Sequence, residues 1–134
     1  MSQENVETVR TATEAMLRGD AATALDALDP DVEWHATVGG INEGRTYHGS
    51  AEVAKAFIDY FEVWERIELR ADDYIDAGDD EVIVFLHEVA MGRESGAVVE
   101  TDIGTVNTVR DGKIARVRGY MKRSQALEAA GLSE

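Results

Sequence analysis

Near Arg66 the hydrophobic periodicity of this chain turns from mainly helical to strand-like, and that switch points to a fold with its helices mostly first and most of its sheet after. Before it, Val6, Val9, Thr13, Met16 and Leu17 share one helical stripe, and Gly19 follows as the glycine that ends the helix. Asp20 is placed to cap a shorter helix carrying Leu25 and Leu28, which Pro30 terminates. The segment DVEWHAT alternates Val32, Trp34 and Ala36 against Glu33 and His35, the period of a short half-buried strand. After a glycine-rich loop, Ser50 stands as N-cap of a third helix. Val53, Phe57, Phe61 and Trp64, flanked by Ala54 and Ile58, form its broad apolar face.

Beyond Arg66 the chain predicts four strands over 66–77, 81–91, 97–109 and 114–122, joined by Asp79-Asp80, a loop from Gly92 to Gly96, and Asp111-Gly112. This is an antiparallel meander. Strands of ten or more residues would extend about 33 Å or more, too long to stay flat in a small domain, so the sheet is expected to curl around the helices. Gln125 to Ala130, stopped by Gly131, adds a short terminal helix.

A length of 134 residues with 44% hydrophobic content fits one domain spanning 1–134. No apolar run approaches the roughly 18 residues of a membrane span, and the polar MSQENVETVR start carries no secretory signal pattern, so a cytoplasmic protein is expected. With no cysteine, disulfides, thiolate nucleophiles and cysteine metal sites are excluded. The formal charge of -14 argues against nucleic acid and anionic membranes as partners.

The Asp111-Gly112 turn sets Arg110 opposite Lys113, and counting outward sorts the sheet into two faces. One collects Thr101, Ile103, Thr105 and Asn107 with Arg116, Arg118, Tyr120 and Lys122. The other, apolar face collects Asp102, Gly104 and Val106 with Ala115, Val117, Gly119 and Met121. The same count from Asp79-Asp80 places Ala71, Asp73 and Ile75 beside Val84, Leu86 and Glu88. Three carboxylates, Asp73, Glu88 and Asp102, are thereby expected on a concave apolar surface, where desolvation would raise their proton affinity and suit them to acid/base work. The competing reading holds each at an open rim, under hydrogen bonds or at a bulge.

His35, His48 and His87 show no metal-ligand spacing, and strand phase puts His35 and His87 outside. No metal is expected. Phosphate-loop, dinucleotide and serine-elbow motifs are absent, so no cofactor is expected either.

The strings ENVETVRTATEAMLRGD, LDPDVEWHAT, TYHGSAEVAKAF, DAGDDEVIV and NTVRDGKIARVRGYMKRSQALEAAGL, in this order and spacing, resemble the SnoaL-like proteins of the nuclear transport factor 2 (NTF2-like) and ketosteroid isomerase-like superfamily. The resemblance covers nearly the whole chain. It implies an α+β, cone-shaped NTF2-like fold (a cystatin-like α+β roll), with three N-terminal helices packed on a strongly curved, mostly antiparallel sheet. It also implies a homodimer through the outer sheet face. The superfamily serves isomerases, polyketide cyclases, epoxide hydrolases, dehydratases and accessory subunits alike. The tyrosine, base and second aspartate of ketosteroid isomerase fall by counting on Ala12, Ala36 and Gly104, so that mechanism is not expected.

Two readings follow. In the first, a conical pocket lined by Trp34, Phe57, Phe61, Leu86 and Met121, with Asp73 at its wall, holds a small hydrophobic metabolite without catalysis or as an accessory subunit. In the second, Asp102 or Glu88 moves a proton in a cofactor-independent isomerase, cyclase, dehydratase or epoxide hydrolase. A carboxylate of raised pKa beside a second polar group would separate them.

Overall fold

The computed structural model describes residues 2–40 and 42–132. Two helices, α1 (Ser2–Leu17) and α2 (Ala21–Asp26), precede two strands, β1 (Leu28–Val38) and β2 (Thr46–His48), and a third helix, α3 (Gly49–Val63). The meander β3 (Trp64–Gly78), β4 (Glu81–Gly92), β5 (Val98–Arg110) and β6 (Lys113–Tyr120) follows, and α4 (Arg123–Ala129) closes the described chain.

Local chemistry explains the boundaries. α1 ends in a Schellman motif: Gly19 takes φ of 81°, its N–H donates to Met16 O, and Asp20 N–H donates to Ala15 O. Asp20 then caps α2, its carboxylate accepting from Thr23 N–H at 3.1 Å. Leu28 is not in that helix but opens β1, and Pro30 lies within the strand. The proline is tolerated because the parallel β1–β6 pairing is interrupted between Leu28 and Glu33, where its missing N–H costs no ladder bond. At α3 the cap position is His48 rather than Ser50, and the Glu52 carboxylate reaches back to accept from His48 N–H at 2.9 Å.

The sheet has six strands in the order β2-β1-β6-β5-β4-β3, all neighbours antiparallel except β1–β6. Two-residue turns join β3 to β4 and β5 to β6, with Asp79, Asp80, Asp111 and Gly112 all at positive φ, matching the twist of the flanking strands. The main core lies on the concave face, where Val9 and Ala12 of α1 meet Val32, Val82, Val84, Val109 and Val117. A second core forms on the convex face, where α4 covers Ile83 and Val106 with Ala126. Gly104 permits that approach: a Cβ there would stand 2.7 Å from Ala126 Cβ.

β-Bulges decide which side chains share a face. Arg110 opposes Lys113 as the turn predicts, but after Val109 opposite Ile114 the register shifts, so Thr108 opposes Arg116 and Asn107 opposes Val117. Ala115 is the extra residue. The shift turns Thr101, Ile103, Thr105 and Asn107 to the concave side together with Val117, Gly119 and Met121, and turns Asp102, Gly104 and Val106 outward. That reverses the β5 assignment made from the sequence. β3 carries three further shifts, between Trp64 and Arg66, Ala71 and Asp73, and Asp76 and Gly78. Ala71 still opposes Leu86 and Leu69 opposes Glu88, but Asp73 and Ile75 oppose Phe85 and Ile83 on the convex side.

Candidate active site at the Glu88–Tyr60 pair

The concave sheet and α3 enclose a cavity of about 420 Å³. Five of the six residues expected to hold a ligand, Trp34, Phe57, Phe61, Leu86 and Met121, are brought together in its wall. A further space of about 250 Å³ continues toward α1 and α2, and Met16, Trp34, Phe57 and Phe61 line both.

Asp73 is the exception. The bulge at Asp72 carries it out of the wall to an exposed cleft beside α1, where its carboxylate accepts from Tyr74 N–H at 2.9 Å. Asp102 is corrected in the same way: its side chain is 60% exposed on the convex face, 2.7 Å from His87 Nδ1 and 3.4 Å from Arg123. The His87 hydrogen bond, supported by the Arg123 charge, holds its carboxyl below the ordinary aspartate value, opposite to what an apolar setting would do. The Asp102 network instead fastens α4, since Arg123 also binds Asp72 at 2.7 Å and Leu86 O at 3.2 Å. Arg118 is likewise spent on an acidic neighbour, Glu81, at 2.7 Å.

Glu88 takes the place in the cavity that the sequence assigns to it. It is 8% exposed, on the concave face between Leu69 of β3 and Thr101 of β5. Both carboxylate oxygens accept from one donor, the Tyr60 hydroxyl, at 2.9 and 3.0 Å. Burial pushes the Glu88 carboxyl above the ordinary glutamate value, and the Tyr60 bond only partly offsets it. Tyr60 is pushed up as well, first by burial and then by the Glu88 charge and hydrogen bond, so it remains a protonated donor.

Sequence reasoning passed over Tyr60, although the signal was present. It lies three residues after Phe57 and four before Trp64, on the same helical stripe. The Trp64 indole N–H is buried and has no hydrogen-bond partner among the described residues. The ketosteroid isomerase positions also resolve: Ala12 and Ala36 line the interior, whereas Gly104 faces α4. Among the described residues no cluster of His, Cys, Asp or Glu is arranged to hold a metal ion.

Residues 9–117 match the SnoaL-like domain. The chain belongs to the SnoaL-like family. Its fold is that of the NTF2-like and ketosteroid isomerase-like superfamily. A cystatin-like-fold protein of unknown function from Xanthomonas campestris is 27% identical with a TM-score of 0.76, over 97% of this SnoaL-like chain and 98% of that one. An NTF2-like protein from Burkholderia thailandensis E264 is 25% identical with a TM-score of 0.80, over 91% and 95%. TerC, co-crystallised with polyporic acid, is 24% identical with a TM-score of 0.75, over 96% and 98%. No curated protein matches this SnoaL-like chain. No helix among its described residues is long and apolar enough to cross a membrane.

Proposed function

We propose that this SnoaL-like protein is a cofactor-independent acid/base catalyst acting on a small, largely hydrophobic, oxygen-bearing molecule, with Glu88 as the proton carrier and Tyr60 as its partner. One observation carries the reading: a carboxylate of raised proton affinity sits in the apolar wall of a ligand-sized cavity beside a hydroxyl donor. A passive pocket needs neither. In the ionised state Glu88 takes a proton from a carbon next to a carbonyl, and the C–H electron pair moves toward the carbonyl oxygen. The Tyr60 hydroxyl donates to the developing oxyanion, and the proton returns from Glu88 to the same or another carbon, giving exchange or isomerisation.

The test is deuterium uptake at the α-carbon of cyclic ketones that fit the cavity, followed in D₂O. Glu88→Gln is expected to lower the rate about 10²- to 10⁴-fold while the thermal transition persists. Uptake that is absent in the native protein, or indifferent to Glu88→Gln, would leave a ligand-binding or accessory role in its place.

The same proposal has the protein act in the cytoplasm as a homodimer. The contact surface is the convex face beside α4, where Arg116 and Arg118 stand opposite Thr108 and Val106. Thr105 and Asn107, which the count from Asp111-Gly112 groups with Arg116 and Arg118, line the inner face instead. Light scattering at micromolar concentration should give twice the chain mass; a monomer would dismiss this assembly.

A further inference from the structure

Six of the nine aromatic residues in the chain line the one cavity that holds Glu88: Trp34, Tyr47, Phe57, Tyr60, Phe61 and Trp64. Five of these rings form a continuous chain of contacts. Trp34 meets Phe57 edge-on at 5.0 Å, Phe57 stacks on Phe61 at 6.2 Å, and Tyr60 contacts Phe61 at 6.0 Å and Trp64 at 6.3 Å. Helix α3 supplies three of the six, at positions 57, 60 and 61, and Trp64, its C-cap and the first residue of β3, continues their stripe. Aromatic faces carry negative potential. Among the described residues no lysine, arginine or histidine lines this cavity, and Glu88 is its one carboxylate.

Glu88 is also under-satisfied. An ionised carboxylate offers about four acceptor sites, and a single Tyr60 hydroxyl, shared between its two oxygens, serves it here. A neutral hydrophobic ligand would cover that charge without compensating it. A positively charged one would meet both the carboxylate and the ring faces, and the formal charge of -14 on the whole chain draws cations toward it.

We infer that the ligand of this cavity carries a cationic nitrogen, an amine or quaternary ammonium on a hydrophobic body, seated against the aromatic wall with Glu88 as its counter-ion. The inference rests on the proposed role of this cavity as the reaction site and names its substrate class. It makes binding depend on pH through Glu88. From α3 the titratable side chain on that carboxylate is Tyr60, while β3 and β5 present Leu69 and Thr101, so no second ionised group offsets it. A cation favours the ionised carboxylate, so affinity should rise as pH increases through the free-protein Glu88 value and fall below it.

Two probes of like shape decide the matter: benzyltrimethylammonium and its uncharged counterpart neopentylbenzene, titrated into the whole protein by calorimetry at pH 7.5 and pH 4. The cation is expected to bind about tenfold or more tighter than the hydrocarbon at pH 7.5. Glu88→Gln should reduce that ratio several-fold, and lower pH should do the same in the native protein without any substitution. Equal or tighter binding of neopentylbenzene, or no cation binding at millimolar concentration, overturns the inference. Its failure is separable from that of the catalytic reading. A cavity that prefers the hydrocarbon, yet whose ketone exchange is lost in Glu88→Gln, refutes the cation alone. One that prefers the cation but never exchanges refutes catalysis alone.

Discussion

Ile83→Ala should cost about 2–5 kcal/mol of stability, a loss normally reserved for the centre of a core, although Ile83 lies on the outer side of the sheet. The residue is completely buried, set between Ile75 of β3 and Val106 of β5 and covered by Ala126 of α4. Removing three carbons there opens a void that a short helix and two strands cannot close together. The loss should also be directional. Amide exchange in Arg123–Ala129 should accelerate more than in α1, because α4 has this patch as its apolar support whereas α1 rests on the concave core. Urea denaturation and hydrogen exchange read both effects. A cost under about 1 kcal/mol, or equal acceleration in the two helices, would mean that α4 is held by the Arg123 contacts and not by packing.

Tyr60→Phe is expected to destabilise the protein by about 1.5–3 kcal/mol at pH 7 and by about 0.5–1.5 kcal/mol below pH 4. The pH dependence follows from Glu88. Its folded-state proton affinity is raised above the unfolded value, so its stabilising contribution is complete below about pH 4.5 and is lost as pH rises through the higher folded value. In the ionised range Tyr60 supplies the one hydrogen bond that limits this loss, and a charged acceptor deprived of its donor costs more than a neutral one. The paired change Tyr60→Phe with Glu88→Leu should recover most of the deficit, since both polar partners then leave the apolar wall together. Urea midpoints at the two pH values measure it. A deficit independent of pH would show that the phenol ring, rather than its hydroxyl, accounts for the effect.

The sequence disclosed the helices and the meander because each rests on a local signal: the α1 stripe closed by Gly19, the aromatic face of α3, and the Asp79-Asp80 and Asp111-Gly112 turns. Glu88 and Leu86 share the concave face with Ala71 as the alternation implies, although the shifts in β3 set Leu69 opposite Glu88 and Ala71 opposite Leu86. Asp102 and Asp73 do not share it. A bulge adds one residue without altering composition, so alternation alone reveals neither the extra Ala115 nor the extra Asp72. The usual safeguard, that only one face is apolar, also failed, because α4 buries Ile83 and Val106 on the other face. Tyr60 escaped for a different reason. Its partner lies 28 residues away, and nothing in either local segment announces the pairing. The three residues of β2 are too few to establish a period, so alternation does not mark them as a strand.

The irregularities of β3 have a further consequence. The sheet is open, with β2 and β3 at its margins, and unpaired backbone at such margins can recruit strands from other molecules. Here one margin is three residues long, too short to template a neighbour. The other is long but interrupted by three register shifts and studded with Glu65, Arg66, Glu68, Arg70, Asp72, Asp73 and Asp76. Any incoming strand would lose alignment at each shift and meet charge between them. The features that obscured the faces in the sequence thus guard the long margin against edge-to-edge aggregation.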